Sequence, residues 1–365
     1  MLKAPKLDRT NKILLFTILI SVILYFGKEF FVLITFSGLL AMLMTPVSNW
    51  LEKRGMTRVF SSLLSVFILL TVVSAIVLLL SAQINNIGKE LPQIQLRFEE
   101  LISDLQSWIS DNLGVSSEQL KDKTSGALPG AGNILTGIVK GTFSFIGRFI
   151  LVLVFTFLFV LQRDKYENFV VMLSPENERD ETTEMINKIS KIAQQYLTGR
   201  IIAAFIIGIL YIIGFSIIDL KDGLILSAIA ALVTIIPYVG ALLGGLIPFF
   251  MTFINGSFEQ SLWVVIIISI VNAIDHYFIE PYIVGGSVSI SPFFTILILI
   301  LGGVIWGLAG IILFLPLLGI LKIIFENVEG LKPYAYLIGD QRKTSAHEEI
   351  WLKIKTMFSE RKKKN

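Results

Sequence analysis

Asp219, Asp275, His276 and Glu280 stand inside or beside otherwise apolar sequence, and Arg200 stands at the entrance to another apolar run. A charge at membrane depth is costly unless it is paired or hydrated, so such residues are default candidates for an ion or solute path. Asp275 and Glu280 have the chemistry to exchange a proton or hold a small cation, and His276 lies between them with a reference pKa of about 6.5. The competing reading puts this cluster at the membrane surface, where charge is ordinary and where Tyr277 and Tyr282 are the expected aromatic company. Nearby, Asn272, Tyr238, Thr234 and Ser269 can bond a hydroxylated or carbonyl-bearing solute without the desolvation cost of a buried charge. Bonds between helices would use the same residue types.

Catalysis has no recognisable constellation. There is no cysteine and there are two histidines, His276 and His347, which excludes a disulfide framework, a thiol nucleophile and a histidine-rich metal cluster. No His-Glu-x-x-His motif, G-x-S-x-G elbow or phosphate-binding glycine loop occurs. Two carboxylates alone are a weak basis for general acid–base chemistry. The expectation is a protein that is not an enzyme, with no catalytic residue, metal or cofactor and no nucleic-acid partner.

The elements that must position these groups are apolar. The 365 residues are 54% hydrophobic and 16% charged, with mean hydropathy +0.76. Several uncharged runs approach the roughly 20 residues that cross a bilayer. A soluble protein would alternate polar and apolar faces instead of running apolar all round. The fold class expected is an all-α polytopic bundle with about eight hydrophobic segments. Two of them are broken. In residues 224–254 the uninterrupted run 224–236 meets Pro237-Tyr238-Val239-Gly240, then Gly244, Gly245 and Pro248. Proline removes a backbone donor and clashes with the preceding turn, so two half-helices are expected there, not one rod. Freed backbone groups survive in a bilayer only where protein covers them or a wet cavity meets them, which makes the break a candidate site. Residues 293–325 are interrupted in turn by Gly302-Gly303, Gly307 and Gly310, with Pro316 beyond. Paired interruptions of this kind point to a transporter's central site.

Read in order, residues 1–82 hold three N-terminal membrane helices, with Lys3, Lys6, Arg9 and Lys12 ahead of an uncleaved first span. The basic loop at residues 52–58 belongs in the cytoplasm. Residues 83–141 form an extracytoplasmic insertion in which Ile84, Ile87, Leu91, Ile94, Phe98, Leu101, Leu105 and Trp108 follow a heptad seam, either a stalk for a partner or a helix lying on its own protein or lipid. A fourth span covers 142–161. Residues 162–200 form a cytoplasmic amphipathic helix whose stripe of Met185, Ile189, Ile192 and Tyr196 suggests either an elbow along the membrane surface or packing against other cytoplasmic parts. The membrane core with the broken helices covers 201–325. The basic cytoplasmic tail, 326–365, is read either as a helix laid against anionic lipid through Ile350, Trp351, Ile354 and Phe358 or as a solvated, poorly ordered end. Basic termini place both ends inside, so the crossings are even in number: eight if the broken segments cross, six if both are re-entrant hairpins. No Lys or Arg in residues 276–292 decides which side carries that loop.

Tyr196-Leu197-Thr198-Gly199, then Ile236-Pro237-Tyr238-Val239-Gly240 with Pro248, then Glu280-Pro281-Tyr282-Ile283-Val284-Gly285 with Pro292, then the late glycines with Pro316, resemble the autoinducer-2 exporter family of bacterial membrane proteins. The resemblance covers most of the chain and is most specific between Tyr196 and Pro316. It implies a transporter of usually eight spans in the bacterial inner (plasma) membrane, often a homo-oligomer, with export of autoinducer-2 or exchange of sodium or lithium for protons among the family's activities. Arg200 departs from the pattern, which has Gln after Tyr-Leu-x-Gly; a guanidinium there favours an anionic solute or a lipid phosphate over a simple cation path.

The reading of the whole is a secondary transporter exporting a small polar metabolite or signal. The path is expected to run by Pro237, Tyr238, Gly240, Pro248, Asn272, Asp275, Glu280, Pro281 and Arg200. The alternatives are a monovalent cation/proton antiporter and, from another class, a non-transporting oligomeric scaffold built on the 84–108 helix.

Overall fold

The fold comes from a computed structural model that describes residues 5–78, 147–235, 239–255, 257–284 and 290–340. Pro237, Tyr238, the heptad pattern of residues 84–108 and the tail beyond residue 340 lie outside the described residues. Among those described, the elements are helices, and β pairing is confined to one isolated antiparallel bridge, Ile290 with Gly339. Five helices are long and apolar enough to cross a membrane: Lys28–Lys53, Arg58–Leu78, Glu176–Ile217, Phe258–Glu280 and Leu308–Asn327. Shorter apolar helices accompany them, and rejoining each broken pair gives the eight hydrophobic segments that the sequence predicts.

We number the helices α1 (Pro5–Phe26), α2 (Lys28–Lys53), α3 (Arg58–Leu78), α4 (Gly147–Leu161), α5 (Arg163–Met172), α6 (Arg179–Ile217), α7 (Gly223–Val233), α8 (Val239–Asn255), α9 (Phe258–Ile274), α10 (Pro292–Trp306), α11 (Leu308–Asn327) and α12 (Lys332–Ile338). A π-helical segment, Asp275–Val284, continues from α9. The chain divides into two compact units. The first takes Met1–Arg54, Phe155–Ile202 and Ile279–Asn365; the second takes Gly55–Val154 and Ala203–Phe278.

In the first unit, Leu39, Ala193, Trp306 and Leu313 form the buried core, with Phe31, Phe36 and Phe314 packed around it. The Trp306 ring meets Phe314 edge to face, 4.9 Å between centroids. Its indole Nε1 donates to the Leu24 carbonyl at 3.0 Å, one of the last carbonyls of α1, which have no helical partner further along. Helices α10 and α11 fold back on each other. Gly307, the single residue between them, has φ +63° and ψ −140°, a conformation open in practice only to glycine. A Cβ on Gly302 would stand 2.5 Å from the Gly310 carbonyl oxygen, and one on Gly310 would fall on the carbonyl oxygen of Gly302. Lipid is as apolar as leucine, so helices associate in a membrane through close backbone approach, and small residues allow it. Ser291 N–H bonds the Ile338 carbonyl at 2.9 Å beside the Ile290–Gly339 bridge. The start of α10 and the end of α12 therefore share one end of the unit.

In the second unit α7 and α8 form a second hairpin. Helix α7 has 11 residues, about 16 Å at 1.5 Å per residue, too short to cross. Helix α8 returns along it. A Cβ on Gly240 would collide with the Val233 carbonyl oxygen, and one on Gly244 would lie 2.9 Å from that of Ala230. Thr234 Oγ1 donates to the Ala231 carbonyl at 2.6 Å where α7 ends, and Thr252 Oγ1 donates to the Pro248 carbonyl at 2.7 Å. Ser257 caps α9 by accepting from Gln260 N–H at 3.1 Å.

One expectation is corrected. The stripe of Met185, Ile189, Ile192 and Tyr196 does not end in an elbow: α6 runs unbroken for 39 residues, about 58 Å, from the charged sequence into the apolar span. Between residues 185 and 217 the sequence holds no proline, and an isolated glycine such as Gly199 costs a helix only about 1 kcal/mol.

Candidate functional site

Two rows of side chains on α6 divide its work. Ala193, Tyr196, Arg200, Ala203 and Ile207 are buried at spacings of three and four, the core stripe of a helix. One position round the helix, Gln195, Gly199 and Ile202 form a second row, which with Gln194 and Thr198 lines a cavity of about 510 Å³ in the first unit. Tyr282 and Ile283 supply the facing wall from the π-helical segment, and Leu43 and Pro46 of α2 contribute apolar contact. None of these nine lining residues carries a charge. Amides and hydroxyls both donate and accept, so the lining suits a small polar molecule better than a bare ion.

Arg200 and Glu280 are brought together at the edge of this cavity. Arg200 Nη2 lies 3.5 Å from Glu280 Oε1, with the arginine side chain 8% exposed and the glutamate 30%. Tyr196, one turn before Arg200 on the same helix, is buried. A second ion pair in the same unit is tighter. Arg163 Nη2 reaches both carboxylate oxygens of Glu52, at 2.9 and 2.8 Å, and Arg163 also bonds Ser48 Oγ and the Val160 carbonyl. That pair joins the C-terminal end of α2 to the first residue of α5, just beyond α4.

Asp275 does not share this site. It belongs to the second unit, is buried at 7% exposure, and is close enough to the fully buried Tyr211 for the phenol to feel its charge. Proline at position 281 cannot donate to the turn before it, and the widened π-helical turns there carry both Asp275 and Glu280; π segments are frequent at functional sites. Gly240 and the buried Pro248 belong to the α7–α8 hairpin, and Asn272 is half-buried on α9. His276 is exposed. Asp219 serves the backbone: with Asp222 it takes positive φ in the turn between α6 and α7, a conformation that aspartate tolerates better than most residues. Ser269 Oγ bonds the Val265 carbonyl of its own helix. Among the described residues no group of three His, Asp or Glu could hold a metal ion.

Sequence reasoning missed Gln194, Gln195, Thr198 and Tyr211. The signal for the first three was present, as polar residues one turn apart beside an apolar stripe. Tyr211 looked like any aromatic in an apolar run.

Hairpins broken by glycine and proline within a set of bilayer-length helices, together with an uncharged polar cavity in the first unit, define a multi-pass helical membrane protein built around irregular membrane segments. The chain belongs to the AI-2E family: the family model described as "AI-2E family transporter" matches residues 14–330. The chain is 26% identical to the candidate transport protein YueF of Bacillus subtilis strain 168 over 304 residues, 80% of this chain and 82% of that one. It is 25% identical to the AI-2 transport protein TqsA of Escherichia coli strain K12 over 330 residues, 87% and 92% of the two chains. With YhhT of the same strain, another candidate transport protein, it shares 21% identity over 351 residues, 94% and 99% of the two. The protein is thus a membrane transporter.

Proposed function

We propose that this transporter exports a small polar solute, autoinducer-2 or a molecule like it, across the bacterial inner membrane, and that the solute is held in the cavity between α6 and the Tyr282 wall. The observation that carries the reading is the lining itself: Gln194, Gln195 and Thr198 face a space of about 510 Å³ with no charged side chain among the lining residues. The name of the relative TqsA supports the choice of solute. With no nucleotide-binding motif in the sequence, the solute's own gradient or an ion gradient drives the movement.

The proposed topology has six crossings and two re-entrant hairpins. Lys53, Arg54 and Arg58 favour a cytoplasmic position for the Glu52–Arg163 end of the first unit. The bridge from Ile290 to Gly339 sets the start of α10 beside the exit of the basic tail, which favours a cytoplasmic 276–292 loop. The Arg200–Glu280 pair supports the same level for the entry of α6 into its span and the exit of the α9 span. Both termini are then cytoplasmic and the cavity opens inward, where an exporter loads.

A second reading rests on a different observation. Asp275 and Tyr211, buried together in the second unit, suit a coupling proton or monovalent cation. The test is purified protein in liposomes, with autoinducer-2 efflux and cation-triggered proton movement recorded side by side. Efflux abolished by Gln195→Leu supports export; proton flux abolished by Asp275→Asn without solute efflux would move the assignment to antiport.

A further inference from the structure

The two walls of the cavity are remote in sequence, and the chain leaves the first unit between them. It passes out after Ile202 and returns at Ile279. Arg200 stands two residues before the first passage and Glu280 one residue after the second. Neither lines the cavity, yet each is on a helix that does: Arg200 next to Gly199, Glu280 two residues before Tyr282. Their contact is the charged link between the two walls that the described residues show.

We propose that Arg200 and Glu280 form a positioning clamp that sets the gap between the α6 wall and the Tyr282–Ile283 wall without touching the solute. The chemistry of the contact favours a clamp that can release over a permanent staple. Charge-assisted hydrogen bonds normally measure about 2.7–2.9 Å, as those of Arg163 to Glu52 do at 2.8 and 2.9 Å. Arg200 is the more buried of the two arginines, yet it meets one oxygen at 3.5 Å, and its buried Nε has no hydrogen-bond partner. One long contact holds its partner less firmly than the two short ones of the Arg163–Glu52 pair, so the clamp is the weaker of the two links. Glu280, about a third exposed, can turn to water when they part.

The chain has no cysteine, so labels can be placed without removing native thiols. Gln195→Cys with Tyr282→Cys, spin-labelled in the full chain in lipid nanodiscs, reports the gap by electron paramagnetic resonance. Phe293→Cys with Tyr336→Cys, both exposed in the same unit, is the reference pair. The expected result is a broader distribution shifted to longer distances in Arg200→Ala across the cavity, recovery in the charge swap Arg200→Glu with Glu280→Arg, and no change in the reference pair. If Arg200→Ala yields no folded protein, Glu280→Gln replaces it with the same expectation. An unchanged cavity distribution, a swap that stays broad, or equal broadening in both pairs would overturn the clamp. The inference depends on the proposed export only for its consequence. A widened gap with normal autoinducer-2 efflux would sink the solute reading and keep the clamp; a normal gap with lost efflux in Arg200→Ala would do the reverse.

Discussion

The two helical hairpins answer one sequence signal in different ways. In the first unit, α10 and α11 turn at the single residue Gly307, and helical hydrogen bonds continue on both sides of it: Gly307 N–H to the Gly303 carbonyl at 3.0 Å and Ile311 N–H to the Gly307 carbonyl at 3.2 Å. Glycine-to-glycine backbone contact and Trp306 lock that corner. In the second unit, α7 ends at Val233 and α8 begins at Val239, and Thr234 and Ile235 form a turn where α7 stops. Non-helical backbone inside a bilayer must be covered by protein or meet a wet cavity. Two interruptions that look alike in sequence are therefore unequal: the α10–α11 corner is a structural post that turns at one glycine, and the α7–α8 connection takes five residues.

The largest effect should come from wedging the post. Gly310→Leu drives a side chain into the Gly302 backbone, and the prediction is loss of monodisperse protein on size-exclusion chromatography after detergent extraction. Gly240→Ala in the other hairpin meets the Val233 carbonyl, a rigid neighbour. Overpacking of this kind costs about 1–3 kcal/mol, so a folded protein with a clearly lowered unfolding midpoint is expected; equal loss of protein in both variants would erase the contrast. Gly307→Ala meets no neighbouring atom within 4 Å, so its penalty is pure backbone strain, about 1–3 kcal/mol, read as a drop in thermal midpoint. Gly303→Ala, whose nearest atom is Ile311 Cγ1 at 3.4 Å, should stay within about 0.5 kcal/mol of the parent.

Much of this architecture could be read from the residues. Apolar run lengths predict the eight segments, and the Pro237–Gly240 and Gly307 interruptions mark both hairpins, because helix breaking is a local property of proline and glycine. Whether the broken segments cross or return is not local. It depends on the Gly302–Gly310 and Gly244–Ala230 approaches and on the Ile290–Gly339 bridge, contacts that spacing cannot announce. The candidate site was legible in part. Arg200 and Glu280 stood out as charges in apolar surroundings, but their partnership is tertiary. So is the allocation of Asp275 to a different unit with Tyr211, although it stands only five residues from Glu280. Gln195 and Thr198 escaped attention because polar residues near a helix entrance are ordinary until a facing wall turns them into a lining.

The most direct measurement is autoinducer-2 efflux from loaded proteoliposomes for the parent and for Gln195→Leu with Thr198→Val, two changes on partly exposed cavity positions that should leave the unfolding midpoint near that of the parent. The prediction is efflux in the parent and its loss in the folded double variant. Efflux that persists undiminished in that variant would contradict the placement of the solute between α6 and the Tyr282 wall.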